Sequence, residues 1–404
     1  MHRATISQRR AAFLLDPRAM SSRLLTQIGE LIATPSVSSV RPEFDMGNRD
    51  VIDRLATWLD DEGFAVEVME VDAHGGGPKA NLIATRGRGP GGLVLAGHTD
   101  TVPFDEGKWS SDPFRATERD GKLYGLGTSD MKSFLAIAIE AARRTRDLPQ
   151  HAPLTILATA DEECGMSGAR ALLAAQKPGG SCAVIGEPTG LRPVRMHKGV
   201  SMEFLRLLGR SGHSSDPSLG ASALEGMRRA MNAMVAVREQ LEASHRRDDL
   251  KPPTTTMNLG NIHGGDNPNR ICAHCELQFD LRVLPGMDDA IVRRDLHAAI
   301  RHAIAGLGLT MEAGPLHDPI PPFETPASAA IVRAAEELTG HAAGAVSFGT
   351  EAPFLSKLGL DTIVLGPGDI DVAHQPDEFL ALDRIEPCID LLTKLIAKLC
   401  GGPS

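Results

Sequence analysis

The stretch LVLAGHTDTVP, from Leu93 to Pro103, places polar side chains directly behind an apolar run. Its first four residues are typical of a buried strand, which the following glycine is predicted to end. His98 and Asp100 then lie at the exit of that strand. A single histidine in such a position is usually an ordinary loop residue, so the pair indicates a function only if other strand ends carry similar side chains.

Apolar runs of this kind alternate with amphipathic helical patterns in residues 1–194 and again in residues 312–404. The patterns predict strands at 93–97, 154–160, 182–186 and 361–366, and helices at 22–33, 48–62, 132–144, 168–176 and 383–399. Strands interleaved with helices predict an α/β fold, with a mostly parallel sheet covered by helices on both faces.

Residues 195–311 follow a different pattern, β-α-β-β-α. The pattern predicts strands near 200–208, 254–262 and 271–284 and helices near 221–243 and 288–305. It is typical of a small α+β sandwich with an antiparallel sheet. A chain of 404 residues is also long for one core. We therefore expect residues 1–194 and 312–404 to form one domain, with residues 195–311 inserted as a second.

The composition argues against several classes of protein. The formal charge of -10 disfavours a nucleic-acid or anionic-membrane surface, and no apolar run approaches the roughly 20 residues of a membrane span. Residues 1–20 contain arginines but no apolar core followed by a small-residue cleavage site, which indicates a protein that is not secreted. Six scattered cysteines do not suggest a disulfide framework, and a reducing cytoplasm is the expected location.

Cys272 and Cys275 form a CxxC sequence that resembles half of a zinc site. The surrounding run, ICAHCELQFDLRV, alternates between apolar and polar residues and predicts a strand. In a strand, positions three apart face opposite sides, so these two sulfurs are not expected to bind one ion.

Polar side chains follow several of the predicted strands. Asp130 precedes a helix in YGLGTSDMKS, Glu162 and Glu163 follow LTILATA, Glu187 follows CAVIG, and His374 lies in GPGDIDVAHQPDE after the last strand. The carboxyl ends of the strands of a doubly wound sheet meet in one crevice. Imidazole and carboxylate ligands brought together in this way suit zinc, cobalt or manganese.

Two ions about 3.5–4 Å apart require a bridging carboxylate and two further protein ligands each. The five candidates are sufficient if Asp130 bridges: His98, Asp130, Glu163, Glu187 and His374. Asp100 is predicted to accept the second N–H of the His98 imidazole. Because neighbours in extended backbone point in different directions, Glu163 can bind metal while Glu162 acts as general base.

Each motif taken alone has a simpler interpretation. Glu162 and Glu163 could form the acidic first turn of a helix, and His374 could be a loop histidine. GLGTSD could be a phosphate-binding glycine turn, although it lacks the third glycine and the preceding strand of a dinucleotide fingerprint. Agreement among five strand and loop ends favours the metal site.

These motifs resemble a known family, the dinuclear-zinc amidohydrolases and peptidases. GHTDTVP, GLGTSDMK, ATADEE, GEPT and AHQPDE match the family's motifs in order, and the resemblance covers nearly the whole chain. It implies that His98, Asp130 and Glu187 hold one metal ion and that Asp130, Glu163 and His374 hold the other. It also implies that Glu162 is the base and that the inserted domain is a lid through which the protein forms a homodimer.

Within this family, several stretches are most similar to the members that act on acetylornithine, among them MHKGV (196–200), GRSGHSSDP (209–217) and TEAPF (350–354). The resemblance implies hydrolysis of an N-acyl amino acid, N2-acetyl-L-ornithine first, with other acetylated or succinylated amino acids as the alternative. His213 resembles the lid histidine that stabilises the oxyanion. Lys198, a candidate for the substrate carboxylate, stands where an arginine is expected.

The substrate's charges suggest further candidates. Arg282, Asn269 and Arg270 could bind an α-carboxylate, for which a planar guanidinium is well suited. Glu351 could pair with the side-chain ammonium of ornithine, or it could be a solvated loop residue. A non-catalytic binding protein would be expected to have lost ligands or Glu162, and a dehydrogenase would be expected to carry the dinucleotide fingerprint.

Overall fold

The computed structural model describes residues 17–73 and 77–401 of the chain. The expectation about secretion depends mainly on residues 1–16, which lie outside the described residues. None of the described helices is long and apolar enough to cross a membrane.

The first part of the chain alternates between helices and strands in the order α1 (Pro17–Ile32), α2 (Arg49–Asp61), β1 (Ala65–Val71), β2 (Lys79–Arg86), β3 (Leu93–His98), β4 (Thr117–Arg119), β5 (Lys122–Tyr124), α3 (Lys132–Arg144), β6 (Leu154–Thr159), α4 (Ser167–Ala175), β7 (Cys182–Ile185) and β8 (Val194–His197). The middle part contains β9 (Ser201–Leu208), α5 (Ala223–Ser244), β10 (Thr256–Gly264), β11 (His274–Arg282), α6 (Asp289–Ala303) and β12 (Thr310–Pro315). The last part contains β13 (Phe323–Glu324), α7 (Ala330–Thr339), β14 (Gly344–Val346), α8 (Ala352–Lys357), β15 (Asp361–Val364), β16 (Phe379–Ala381) and α9 (Ile385–Cys400).

The main sheet has nine strands in the order β1-β2-β6-β3-β7-β15-β8-β13, with β14 also paired to β8. Its four central strands, β6, β3, β7 and β15, are parallel to one another, whereas β1, β2 and β13 pair antiparallel at the flanks. The predicted α/β fold with a mostly parallel central sheet is therefore confirmed.

The apolar run of β3 follows from burial on both faces of this sheet. Leu93 and Leu95 pack in a core with residues of α1, α2, α3, α7 and α9. Val94 and Ala96 point the opposite way and pack with residues of α4 and α8. Because both faces of a central parallel strand are covered, successive residues are all apolar.

The second sheet is antiparallel, with strands in the order β10-β11-β9-β12. Alternate residues of β11, such as Leu277 and Phe279, pack in a core against α5 and α6. The boundary expected at about residue 311 falls inside β12, which pairs with β9 as far as Pro315. The sequence of β12, TMEAGP, contains glycine and proline, so its pattern did not indicate a strand.

The CxxC segment differs from its prediction in one respect. Cys275 lies in β11 with its side chain buried, but Cys272 precedes the strand, which begins at His274. Both residues are free thiols, as are the other four cysteines.

A third, small sheet has the order β16-β5-β4. Phe379 pairs with Tyr124, so the segment that follows His374 lies beside the segment that leads to Asp130. This pairing brings two distant parts of the chain to the same edge of the main sheet.

Candidate metal centre

Neighbouring parallel strands carry the predicted metal ligands to one edge of the main sheet. His98 is the last residue of β3, Glu163 lies in the turn after β6, and Glu187 follows β7 by two residues. Asp130 lies two residues before the start of α3, and His374 lies in the loop between β15 and β16. The exits meet because β6, β3 and β7 run in the same direction in adjacent positions.

Asp130 lies between the two histidines. Its Oδ1 atom is 3.1 Å from Nε2 of His98, and its Oδ2 atom is 3.3 Å from Nε2 of His374. One carboxylate oxygen therefore faces each imidazole, which is the arrangement that a bridging ligand between two ions requires.

The other two carboxylates approach different histidines. Oε1 of Glu187 is 3.8 Å from Nε2 of His98, and Oε1 of Glu163 is 3.1 Å from Nε2 of His374. Each half of the cluster thus combines one histidine, one glutamate and one oxygen of Asp130. Ligand atoms of His98, Asp130 and Glu163 lie within 4.8 Å of one another, as do those of His98, Glu162 and Glu187.

Burial and charge indicate that this cluster suits cations. Oε1 of Glu187 is buried and has no hydrogen-bond partner among the described residues. Burial, followed by the charge of Glu187, raises the pKa of Glu162 well above its ordinary value. Hydrogen bonds with Asp130 and Glu163 raise the pKa of His374 to about 10. Several buried carboxylates close to one another are unfavourable unless a positive charge compensates them. With the two imidazoles, they form a donor set that fits two divalent ions.

The contacts of Asp100 differ from those expected. The Nδ1–H of His98 donates to the backbone carbonyl of Asp100 at 3.0 Å, while the nearer carboxylate oxygen is 3.7 Å away. The carboxylate instead accepts the backbone N–H groups of Glu162 (3.2 Å) and Glu163 (3.1 Å). In this structure the hydrogen-bond partner of the His98 Nδ1–H is thus the backbone carbonyl of Asp100 and not its carboxylate.

The turn that carries Glu162 and Glu163 has a second support, which the sequence interpretation missed. Asp161 adopts a left-handed conformation with φ of 61°, and its Oδ1 accepts from the ammonium of Lys79 at 2.6 Å. The same ammonium donates to Asp45 at 2.8 Å. Burial lowers the pKa of Lys79, but hydrogen bonds with Asp161 and Asp45 outweigh it and raise the pKa overall. The ammonium thus remains charged and ties the turn to the loop containing Asp45.

Glu378 was also missed, although the motif AHQPDE contains it. Its side chain is buried, and its carboxylate accepts the backbone N–H groups of Gly127, Ser129 and Asp130. Burial raises the pKa of Glu378 to about 8, and the N–H donors oppose this shift. An acidic residue directly before the apolar start of β16 was the available signal.

Glu351 lies buried near the cluster rather than in a solvated loop. Its Oε2 accepts from the hydroxyl of Thr159, the last residue of β6, at 2.8 Å. Its Oε1 is buried without a hydrogen-bond partner among the described residues. Burial raises the pKa of Glu351 to about 7.

The remaining candidates lie in or beside the inserted domain. His213 is exposed, with Nδ1 2.7 Å from the Ser215 hydroxyl, and its backbone pairs with that of Arg270. Arg270 forms an ion pair with Asp266, and the backbone N–H of Asn269 donates to Asn267. Within residues 17–73 and 77–401, the structure gives His213, Asn269 and Arg270 no hydrogen bond or ion pair with the metal cluster.

Lys198 and Arg282 lie where the inserted domain joins the main one. Lys198 is buried and donates to the carbonyl of Thr254. Arg282 donates to the carbonyl of Ser347 at 2.7 Å and pairs with Asp280 at 2.9 Å. Burial, and then the charge of Arg282, lower the pKa of Lys198. The two cations are therefore near each other beside the loop that leads to Glu351.

Comparison with known proteins identifies relatives along nearly the whole chain. Residues 94–398 match the profile of peptidase family M20/M25/M40. An acetylornithine deacetylase from Pasteurella multocida (strain Pm70) is 48% identical over 378 residues, which cover 94% of this chain and 98% of the relative. One from Vibrio campbellii is 48% identical over 372 residues, covering 92% of this chain and 97% of the relative.

Solved structures of lower sequence identity share the fold. A tripeptidase from Staphylococcus aureus has a TM-score of 0.72 at 19% identity, with 94% of this chain and 98% of that chain covered. An M20 family metallo-carboxypeptidase from Sulfolobus solfataricus has a TM-score of 0.71 at 18% identity, with 93% and 98% covered. The sheet and the cluster at its carboxyl edge define a metal-dependent amidohydrolase. The chain belongs to peptidase family M20/M25/M40.

Proposed function

We propose that the protein hydrolyses the amide of N-acylated amino acids and that its substrate is N2-acetyl-L-ornithine, giving L-ornithine and acetate. The observation that carries the proposal is the placement of Asp130, with one carboxylate oxygen toward each histidine. The relatives named as acetylornithine deacetylases support the choice of substrate, because about half of all aligned residues are identical across nearly the full length of both chains. The reaction would serve arginine biosynthesis.

The five ligands are proposed to hold two divalent ions per subunit, zinc first and cobalt as the alternative. His98, Asp130 and Glu187 would hold one ion, and Asp130, Glu163 and His374 the other, in keeping with the distances above. When bound, such ions polarise an acyl carbonyl and lower the pKa of a water molecule.

Glu162 is the proposed general base. Its neighbour Glu163 faces His374, whereas Glu162 lies with His98 and Glu187, and its carboxylate is the one that this proposal leaves free of metal. Glu162 takes a proton from the attacking water and returns it to the nitrogen of the leaving amine. Asp100 acts through the backbone of Glu162, which it holds in place.

Groups on both sides of the junction between the domains would bind the two charged groups of the substrate, its α-carboxylate and its side-chain ammonium. Arg282 and Lys198 are the proposed partners of the α-carboxylate, with Asn269 and Arg270 as further donors. Glu351 is the proposed partner of the ornithine ammonium, since it keeps one buried carboxylate oxygen free of other partners among the described residues. His213 is proposed to stabilise the oxyanion from the lid of the second subunit.

A homodimer formed through the inserted domain is part of the proposal. β10 is an edge strand of the four-stranded sheet, and its last five residues are exposed. An exposed edge offers unpaired backbone groups to another chain. The free cysteines are consistent with the proposed cytoplasmic location.

The decisive experiment compares acetylornithine, acetylmethionine and succinyl-diaminopimelate as substrates of the purified enzyme. We expect the highest kcat/KM for acetylornithine, loss of activity with a chelator, and recovery with zinc or cobalt. Faster turnover of the succinylated substrate would favour the desuccinylase alternative, and similar rates on all three would indicate a broad deacylase. No turnover of any substrate by the metal-loaded protein would contradict the enzyme assignment.

Glu351→Gln tests the ammonium contact in the same assay. Loss of a buried charge pair is worth roughly 2–5 kcal/mol, so kcat/KM for acetylornithine should fall selectively. Acetylmethionine, whose side chain is neutral, serves as the internal control. Equal losses on both substrates would remove Glu351 from substrate recognition.

A further inference from the structure

The turn GLGTSD, residues 125–130, folds its backbone around the carboxylate of Glu378. The N–H of Gly127 lies 3.1 Å from each carboxylate oxygen, and the N–H groups of Ser129 and Asp130 donate to Oε1 at 2.7 Å and 3.0 Å. A concave set of N–H groups is an anion-binding arrangement. Here a carboxylate of the chain itself occupies the turn that the sequence suggested as a phosphate site.

The turn can approach Glu378 closely because Gly127 has φ of 87°, a left-handed conformation that favours glycine. A Cβ atom at this position would also lie 2.8 Å from Cδ of Lys132. Both the conformation and the lack of space therefore require glycine.

Further hydrogen bonds join the same two segments of chain. The N–H of Gly125 donates to the backbone carbonyl of Glu378 at 3.0 Å. The hydroxyl of Ser129 accepts from the N–H of Asp369 at 2.8 Å and lies 3.2 Å from the carbonyl of that residue. Residues 125–130 and 369–378 are thus held together on both sides of Glu378, and each segment carries one proposed metal ligand.

We propose that Glu378 is a positioning residue of the metal centre, which sets the placement of Asp130 relative to His374. It contacts Asp130 through the backbone N–H and lies four residues after His374 in the same loop. Three backbone N–H groups converge on this one buried carboxyl group and fix the turn before α3. This proposal rests on the two-ion site proposed above.

The test measures the two stepwise zinc dissociation constants of the full-length protein by competition with a chelator. Glu378→Gln keeps the side-chain size and one acceptor, and Glu378→Asp keeps the carboxyl group but is one methylene shorter. We expect both to weaken by roughly 10–100-fold the binding step that His374→Ala also weakens, because supports of metal ligands have effects of this size. The matched control is Glu203→Gln, a buried glutamate of the four-stranded domain, which should leave both constants unchanged.

Far-UV circular dichroism of the metal-free proteins checks folding. If neither Glu378 variant folds, Gly127→Ala, which disturbs the N–H contact with both oxygens of Glu378, decides by the same criterion. Zinc constants within twofold of wild type, with only a lower melting temperature, would overturn the proposal and leave Glu378 a purely structural residue. If the wild-type protein bound fewer than two ions, the two-ion site itself would fail. The two failures are therefore distinguishable.

Discussion

Glu162 and Glu163 are adjacent, yet they lie near different partners, which supports the different roles proposed for them. The side chain of Glu163 meets His374, while Glu162 lies on the side of His98 and Glu187. The Asp100 carboxylate holds the turn through the backbone N–H groups of Glu162 and Glu163, and Asp161 holds it through its ion pair with Lys79. Both glutamate side chains therefore enter the cluster. The sequence predicted this division from the different directions of neighbouring side chains, and the contacts of the turn with Asp100 and Lys79 support it.

Substitution of each glutamate by glutamine should separate metal binding from proton transfer. Glu162→Gln should keep both ions and lose about 10²–10⁴-fold in kcat, the usual contribution of a general base. Glu163→Gln should instead lose occupancy at one ion site, measured by elemental analysis of the dialysed protein. An empty Glu162→Gln protein would make Glu162 a ligand and contradict the assignment.

Most of the proposed metal ligands follow the parallel strands of the main sheet, whereas the candidate oxyanion residue, His213, lies in a loop of the inserted domain. The segment around His213 is held by backbone pairs between Arg210 and Ala221 and between His213 and Arg270. The His213 side chain is exposed in the single chain. This exposure is consistent with the proposal that His213 acts in the site of a partner subunit.

Hybrid dimers test this placement. His213→Ala should lower kcat by roughly 10²–10³-fold, as removal of an oxyanion donor does, without changing metal content. Mixing it with Glu162→Gln should restore up to about one-quarter of wild-type activity, because half of the dimers are hybrids and each has one intact site. Verified subunit exchange without any recovery would place His213 in the site of its own chain or outside catalysis.

The chain passes from the main sheet to the inserted domain directly after β8. Its last residue, His197, is fully buried, with its ring centroid 5.3 Å from that of Phe323. Nδ1 lies 2.8 Å from the carbonyl of Lys198, and Nε2 lies 3.1 Å from the hydroxyl of Thr350. Burial lowers the pKa of His197 to about 4.

This burial predicts a loss of stability in acid. Between a pH of about 6.5 and about 4, the unfolded chain binds a proton at His197 that the folded chain does not, so stability falls as pH falls. Between pH 7.5 and 5.5 the contribution is about 1.4 kcal/mol. His197→Gln should lose that much less in urea unfolding over this interval. The exposed-site control His341→Gln should behave as wild type, and an equal loss in His197→Gln would contradict the prediction.

The local sequence was sufficient to predict the four central strands of the main sheet and to select the polar side chains expected to meet at its edge. Continuous apolar runs such as LVLAG predicted buried parallel strands, because burial on both faces leaves no polar position. Polar residues after those runs, among them His98 and Glu187, were expected to meet because strand exits of a parallel sheet converge. The structure places these side chains within a few ångströms of one another.

Only the tertiary structure determined how that cluster is supported. Lys79 and Asp161 are 82 residues apart, and Glu378 is 248 residues from Asp130, so no local period relates them. The strand β12 also depends on a distant part of the chain. Its glycine and proline do not predict a strand, and it forms because it pairs with β9. The periodicity of a sequence shows which face of an element is buried, whereas long-range hydrogen bonds depend on how the elements pack against one another. The bonds from the backbone N–H groups of Glu162 and Glu163 to the Asp100 carboxylate are of this second kind.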